Sequence, residues 1–495
     1  MTDHDRMDTT PDSDFRSHPN FMATHQLSRR QLLRLSGAAG GAMLAGGLAP
    51  RFAQQVAAQE GTAVAPAETI TGGKVEFGVL YEEGAWFEHA KSIGDSLAAD
   101  YDGTDIKYTF ANTASDPARA LRWQNGDPLD TDTGRWSNQA PPTWDWVNNG
   151  FVLDMTPYVN APLASGEVWA DTFTQGAKSF AIDSRADTTT PGVWWGVPYE
   201  SVLMLMHYNV QIFEDLGITP PTTWAEFLTV CETINTQGAD KGIKPICVSG
   251  PTNAYCAHWW DRMVQRVVGR EGVNAVLYGD AKVADNPGFL TAAQEIAKLP
   301  ANGWFMDGFQ GADFTGAQAL FFQGKAAMIH MGSWLAAEMA DVIPEGFRLG
   351  VFDFPTYEGG AGDQNAMFGT AQMWSVASPE KSTSHDVNVP LAVEYLKRWT
   401  SRERETERSD TLRMIPTVTD VPAPSGTTGM PEMVEKSATS DVIIYYYAAH
   451  WDAGLSTAWW NPVQALFLGQ ATPEEMIEML DKGLAEYREL KQAGA

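Results

Sequence analysis

The stretch VPYESVLMLMHYNVQIFEDLGITPPTTWAEF, residues 197–227, decides the fold of this chain. Its first half is almost entirely apolar, which is typical of a buried strand, and Pro198 keeps Val197 in an extended conformation. A short helix of acidic and apolar residues is predicted next. The threonines after the proline pair offer an N-cap for a further helix over 225–236, which Gly238 ends. A strand and two helices in this order indicate an α/β fold.

A second informative stretch is ALFFQGKAAMIHMGSW, residues 319–334. Its pattern predicts a helix that ends at Gly324, then a buried strand, and then a turn into another helix. Ser333 is predicted to be the N-cap of that last helix. Exposed backbone N–H groups and the indole of Trp334 would then lie together at the end of a strand, where a ligand could bind.

The N-terminal part of the globular region has the same alternation. A strand is predicted over 74–80, a helix over 87–99 and a second strand over 105–110. A strand-helix-strand opening favours a parallel sheet, in which ligands bind beyond the carboxyl ends of the strands. Candidate ligand contacts are therefore expected in the loops at 81–86 and 112–115.

These stretches resemble the characteristic blocks of the extracellular solute-binding proteins of carbohydrate ABC importers. The first block follows the family order of PY, an apolar run, YN, a helix, G-I and P-x-T-W. The second follows F-x-x-G-K-A-A-M, a strand and G-S-W. Within the family, GKAAM-x3-GSW-x3-EM followed by P-x-G-F looks most like the N-acetylglucosamine and diacetylchitobiose receptors.

The resemblance implies an α/β, two-lobe periplasmic-binding-protein fold whose discontinuous lobes are joined by a hinge. We expect lobe I near 73–200 and 376–428, and lobe II near 201–375 and 429–495. A sugar or oligosaccharide would bind between the lobes, and hinge closure would present the complex to the permease of an ABC transporter. A monomer without catalytic residues, metal or cofactor is expected.

Ten residues are candidate ligand contacts. Tyr199 and Glu200 stand where the chain is expected to cross between the lobes, and PYE recurs at this crossing in sugar receptors. Asp130 is preferred over Asp127 as the acid facing the cleft, in a stretch over 123–151 where no regular element is predicted. The full set is Trp86, Asp130, Tyr199, Glu200, Trp260, Trp304, Ser333, Trp334, Phe368 and Gly369.

Composition narrows the class of ligand. The chain of 495 residues has a formal net charge of −28, which argues against nucleic acid and anionic membranes as partners. Its 18 tryptophans suit a sugar, whose apolar faces stack on aromatic rings. Two alternatives stay open: a receptor for a cationic solute such as a polyamine, and a secreted glycoside hydrolase.

Residues 1–58 are predicted to be a twin-arginine signal region, followed by a linker over 59–72. The sequence SRRQLLR, residues 28–34, precedes an apolar run over 35–49 that is short for a bilayer span. Export of the folded protein is expected, to a periplasmic or cell-surface location. Because the first cysteine is Cys231, a lipid anchor at the cleavage site is not expected.

The chain has three cysteines, Cys231, Cys247 and Cys256. An odd number leaves at least one free thiol in an exported protein. Cys231, on an apolar helix face, is predicted to be buried and free, whereas a disulfide between Cys247 and Cys256 stays open. No metal-binding or catalytic spacing of cysteine and histidine is present.

Overall fold

The computed structural model describes residues 65, 69–79, 82–110, 117–133, 146–147, 149–183, 192–444 and 453–492. The predicted signal region and the predicted loop at 112–115 lie outside these residues. The strands are β1 (Lys74–Val79), β2 (Asp105–Phe110), β3 (Thr131–Asp132), β4 (Val197–Asn209), β5 (Lys244–Cys247), β6 (Ala326–Gly332), β7 (Leu349–Phe352), β8 (Met367–Val376), β9 (Thr427–Thr428) and β10 (Val442–Ile444).

The helices surround this set of strands. They are α1 (Ala85–Asp100), α2 (Pro117–Gln124), α3 (Thr156–Val159), α4 (Gln175–Asp183), α5 (Val210–Leu216), α6 (Trp224–Gln237), α7 (Asn253–Val267), α8 (Gly269–Leu277), α9 (Pro287–Ala301), α10 (Phe314–Phe322), α11 (Leu335–Glu338), α12 (Val389–Trp399), α13 (Arg402–Leu412), α14 (Met430–Thr439), α15 (Ala453–Phe467) and α16 (Pro473–Gln492). Within the described residues, every helix is too short or too polar to cross a bilayer.

The ten described strands form one mixed sheet in the order β2-β1-β3-β8-β4-β6-β5, with β7, β9 and β10 attached at the side. Strand β4 joins two parts of this sheet. Its residues 197–203 pair with β8, and its residues 204–209 pair with β6 on one edge and β7 on the other. One continuous strand therefore serves two ladders.

Strand directions bring the carboxyl ends of two strand groups together. The first group, β1, β2 and β3, is parallel, and β4 runs in the same direction because both are antiparallel to β8. The second group, β5 and β6, is parallel and runs the opposite way, because β6 is antiparallel to β4. Both groups therefore end toward the middle of β4.

A hydrophobic core covers the first strand group. It contains residues from 75–199 and from 371–421, among them a cluster of large aromatic side chains. The ring of Trp86 lies 5.4 Å from that of Trp399 and 6.3 Å from that of Trp374, measured between centroids. The chain leaves this part of the sheet after residue 199 and returns to it through β8. The core therefore takes its residues from two separate stretches of the sequence.

Helix α6 shows how the opening stretch of the sequence works locally. Thr223 Oγ1 accepts a hydrogen bond from the Glu226 N–H at 3.2 Å, and the Glu226 carboxylate accepts one from the Thr223 N–H at 3.1 Å. This reciprocal capping box is the predicted hydroxyl N-cap. Trp224 and Phe227 then stack with centroids 4.9 Å apart, which fixes the helix against the core.

The fold corrects one expectation and answers one open question. The stretch over 123–151 does contain a regular element, β3, which is short because it only bridges β1 and β8. The open question about Cys247 and Cys256 is resolved: all three cysteines are buried free thiols. Cys247 donates to the Ala317 carbonyl at 2.9 Å, so it behaves as a packed thiol, and burial raises the pKa of Cys256 to about 12.

Candidate functional site

The middle of β4 and the facing part of β8 carry a patch of polar side chains between the two strand groups, of which Glu200 and Thr370 are partly exposed and Gln372 is buried. Glu200, half-buried, stands opposite Gln372 of β8, and Val202 stands opposite Thr370. Gln372 and Thr370 alternate with apolar neighbours, so both belong to one face of the β8 strand. Neither was predicted. The alternation of polar and apolar residues over 369–374 is the signal that could have found them.

Gly369 lies in the same place. It pairs with Leu203, and a Cβ atom there would overlap the carbonyl oxygen of Val202. Only a residue without a side chain allows the two strands to approach this closely. The predicted role of Gly369 was a close approach of ligand, whereas the structure shows a close approach of the neighbouring strand.

Ser333 and Trp334 follow the carboxyl end of β6 and lie beside this patch. Both are partly exposed. The Ser333 hydroxyl accepts the Leu203 N–H at 3.3 Å, and its own N–H donates to the Leu203 carbonyl at 2.8 Å. Ser333 is therefore not the predicted N-cap, because helix α11 begins at Leu335, its N-cap position is Trp334 and no side chain caps it. It extends the β6 ladder instead.

The indole of Trp334 lies over the backbone of β6. A Cβ atom at Gly332 would overlap the ring, so the glycine makes room for it. Glu338 stands close to the indole and accepts a hydrogen bond from Gln318 Nε2 at 3.0 Å. Burial raises the pKa of Glu338, while hydrogen bonds from Gln318 and Trp334 oppose that rise. Trp334 thus presents an oriented aromatic face just after the carboxyl end of β6, beside the patch on β4.

A buried ion pair lies at the carboxyl ends of β1 and β3. Arg119 binds the carboxylate of Asp132, the last residue of β3, and donates to the Val79 carbonyl at 3.3 Å. The indole of Trp123 donates to the same carboxylate at 3.2 Å. Gly78 permits this arrangement, because a Cβ there would meet both charged groups. Asp132, and not Asp130, is the acid at the carboxyl end of its strand.

Asp130 occupies a structural position. Its carboxylate accepts the N–H groups of Glu76 at 2.7 Å and Asn388 at 2.6 Å, and it is 2% exposed. These bonds tie the start of β3 to β1 and to the beginning of helix α12. The structure does not bring Asp130 to the patch on β4, since Asp130 lies before the start of β3 and the other end of that strand points toward the middle of β4.

The other predicted contacts lie inside the protein. Trp86 and Tyr199 pack in the core of the first strand group, with their ring centroids 6.4 Å apart. Trp260 packs against Trp459, with centroids 5.7 Å apart. Trp304 lies at the outer edge of β5, where its carbonyl accepts the Ile246 N–H. Phe368, fully buried, lies beneath the guanidinium of Arg262 at 5.7 Å.

Of the ten candidates, Glu200, Ser333, Trp334 and Gly369 come together at the middle of β4. They form the candidate site with Thr370 and Gln372. The described residues contain no group of three His, Cys, Asp or Glu side chains that could hold a metal ion. What the site offers is a carboxylate, an amide, hydroxyls and one indole face, which suits recognition of a polar solute.

A comparison with protein families identifies the chain. Residues 95–397, more than half of its length, match the family described as bacterial extracellular solute-binding protein. The chain belongs to this family. The convergence of strand ends on β4 is therefore a feature of a solute-binding protein.

Curated relatives of this solute-binding protein are distant. It is 22% identical over 237 residues to binding proteins of Brucella abortus strain 2308 and Brucella suis strain 1330. The match covers 44% of the present chain and 55% of each relative, so it spans about half of their length.

Solved structures match the solute-binding protein over most of its length. The apo-form of RafE from Streptococcus pneumoniae has a TM-score of 0.65 at 20% identity, covering 84% of this chain and 98% of its own. A chitin oligosaccharide binding protein has a TM-score of 0.62 at 19% identity, with coverages of 84% and 98%. The receptor AcbH reaches 0.66 at 16% identity, covering 85% and 98%. The two-lobe α/β fold is thereby confirmed.

Proposed function

We propose that this solute-binding protein captures a sugar or oligosaccharide between its two lobes and delivers it to the permease of an ABC transporter. The observation that carries the proposal is the meeting of both sets of strand carboxyl ends on β4, at a patch with one indole and several neutral hydrogen-bonding groups. Similar structures include proteins described as binding chitin oligosaccharide and raffinose, which supports the same class of ligand.

The chemistry of the patch fits a neutral polyol. The Trp334 ring can stack on the apolar C–H face of a pyranose, and the Gln372 amide and Glu200 carboxylate can bind its hydroxyls. The hydroxyls of Thr370 and Ser333 lie on the same part of the sheet. A single carboxylate at the centre would also attract a cation, and with a net charge of −28 a polyamine is the second candidate.

A thermal-shift screen tests the proposal. The protein without residues 1–58 is heated with mono- and oligosaccharides, amino sugars, polyamines and amino acids. A ligand at about 100 times its dissociation constant adds about 2.7 kcal/mol of stability. We expect a rise in the unfolding midpoint with a sugar, insensitive to salt and without hydrolysis of a chromogenic glycoside. A rise only with polyamines, lost in high salt, would instead favour the cation receptor.

We expect Trp334→Ala to remove about half of the sugar-induced stabilisation at a fixed sugar concentration, and the ligand-free midpoint to fall as well, because the ring packs over Gly332 and its indole hydrogen-bonds Glu338. Loss of an aromatic stacking partner costs about 0.5–1.5 kcal/mol beyond buried area, or about tenfold in affinity. Titration calorimetry with the sugar found in the screen measures it.

Gly332→Ala is the matched variant for this prediction. It keeps the indole but adds a methyl group where the ring now lies. We expect the same loss of affinity from both variants. Full affinity in Gly332→Ala and Trp334→Ala would place the sugar elsewhere in the protein.

Several finer points belong to the same proposal. We infer export by the twin-arginine route, no lipid anchor, and a monomer. We also propose lobe I over 73–200 and 376–428 and lobe II over 201–375 and 429–495, and absence of catalysis. A preference for N-acetylglucosamine or diacetylchitobiose rests on the G-K-A-A-M and G-S-W pattern alone, and the screen includes both sugars for that reason.

A further inference from the structure

Strand β4 has a bulge at Tyr199, directly before Glu200. Pro198 pairs with Met373 and Glu200 with Gln372, so Tyr199 is an extra residue with no opposite residue in β8. A bulge interrupts the ladder and re-aims the side chains next to it. Proline also has no N–H to donate. The direction of Glu200 therefore depends on the groups that hold the backbone of residues 198 and 199.

Side chains from the segment after β8 hold that backbone. The Thr417 hydroxyl lies 3.1 Å from the Pro198 carbonyl oxygen, and Arg408 Nη2 donates to the Tyr199 carbonyl. The Ser201 N–H donates to the Ile415 carbonyl at 3.0 Å. Buried carbonyls need donors, and the Tyr199 carbonyl receives its donor from a side chain instead of a neighbouring strand. The single Thr417 hydroxyl lies within hydrogen-bond distance of both the Pro198 carbonyl and Glu405 Oε1, which is 3.0 Å away.

The holding groups are themselves fixed. Arg408 donates to Glu405 Oε1 at 2.5 Å, and its guanidinium stacks over the rings of Tyr199 and Trp399, 5.6 Å from each centroid. Glu405 accepts the Thr417 N–H at 3.1 Å. Glu405 and Arg408 are each 1% exposed, and Thr417 is fully buried. We name Glu405, Arg408 and Thr417 the bulge clamp.

A contribution to stability alone does not explain a buried ion pair at this position. A buried ion pair often contributes no more than apolar residues of the same volume would, because removing both charges from water is costly. Here the pair lies at the bulge of β4, between the aromatic core and the candidate site. Its position indicates a task in setting local geometry.

We propose that the bulge clamp positions Glu200 for ligand binding. Glu405, Arg408 and Thr417 do not touch the ligand; they fix the carbonyls of residues 198 and 199 and thereby the direction of the Glu200 carboxylate. The effect on ligand affinity rests on the proposed function, whereas the effect on the strand does not.

Thr417→Val and Thr417→Ser form the test pair. Valine keeps the shape but removes the hydroxyl, and serine keeps the hydroxyl. We expect hydrogen exchange of the amides in residues 199–203 to become about tenfold faster in the valine variant and to stay unchanged in the serine variant. A second variant, Arg408→Met with Glu405→Gln, removes both charges together, so no unpaired charge is left buried. It should also speed exchange of these amides.

Asp130→Asn is the control. It replaces a carboxylate that is buried like that of Glu405 and also accepts hydrogen bonds from backbone N–H groups, but lies at the start of β3. Its unfolding midpoint should fall without faster exchange in 199–203. Equal exchange in wild type and in both clamp variants would overturn the proposal.

Binding is measured by calorimetry with raffinose and chitobiose as probes. If wild type binds either sugar, Thr417→Val should weaken it about tenfold and Thr417→Ser should restore it. Unchanged affinity alongside faster exchange would overturn the positioning role. If the wild-type protein binds no sugar, the proposed function is contradicted. Faster exchange in Thr417→Val would then still establish the effect of the bulge clamp on the strand.

Discussion

Asp353→Asn should lower the free energy of unfolding by about 3–5 kcal/mol, because it leaves buried cations without their counter-charge. The Asp353 carboxylate binds Arg262 at 2.8 Å, Arg266 at 3.1 Å and Lys436 at 2.5 Å. Both arginines are fully buried on helix α7, and Lys436 reaches the carboxylate from α14. Urea unfolding followed by tryptophan fluorescence measures the loss.

The exposed pair of Glu214 with Arg348 provides the control for Asp353. Its geometry is equally close, with two contacts between guanidinium and carboxylate, but both side chains are about half exposed. Exposed pairs contribute little. We expect Glu214→Gln to leave the unfolding midpoint almost unchanged. Equal effects of Glu214→Gln and Asp353→Asn would show that burial does not set the contribution of the network.

A second large effect should appear on mild acidification. His89, His207 and His330 are buried, and burial lowers the pKa of each to about 3; the pKa of His258 is also lowered well below its usual value. Nearby arginines, Arg408 for His89 and Arg262 for His330, lower it further. These side chains are therefore neutral in the folded protein.

Below about pH 6.5 the unfolded chain binds protons that the folded protein does not, so stability is lost as the pH falls from about 6.5 toward 3. Each histidine lowers the free energy of unfolding by up to about 1.4 kcal/mol for each pH unit below 6.5. Together the four lower it by roughly 8 kcal/mol at pH 5. A domain stable by about 5–15 kcal/mol should then be close to unfolding.

Urea midpoints at pH 8, 7, 6 and 5 test this expectation. His330→Gln should reduce the slope of stability against pH by about a quarter, since one of four groups no longer takes up a proton. Titration of the Asp353 carboxylate does not change the stability between pH 8 and 5. Burial alone would raise its pKa, but Arg262, Lys436 and Arg266 lower it to about 2, so its contribution is lost only as the pH falls from about 4. Constant stability between pH 8 and 5.5 would contradict the assignment.

Local patterns predicted the elements that local physics determines. The strands expected over 74–80 and 105–110 and the helix over 225–236 are found within a few residues, because apolar periodicity and caps act over short distances. The strand after Gly324 is also found. Thr223 needed only its neighbours to form a cap, so the sequence was sufficient there.

Long-range partners were not predictable in the same way. Ser333 was expected to cap a helix, but its hydroxyl accepts a hydrogen bond from the backbone N–H of Leu203, which is far away in the chain. Trp86 and Trp260 were chosen for their aromatic character, and packing placed both in cores. Asp130 and Asp132 differ by two residues, and only the pairing of β3 with β1 and β8 shows which one ends the strand.

The double pairing of β4 has a consequence for recombination and protein engineering. Residues 197–209 begin in one ladder and finish in another without a loop between them. A crossover point placed inside this segment would divide a single hydrogen-bonded strand between two parents, and each half would then need the register of the other. Chimaeric receptors that exchange one binding half should therefore be joined outside residues 197–209, and never within them.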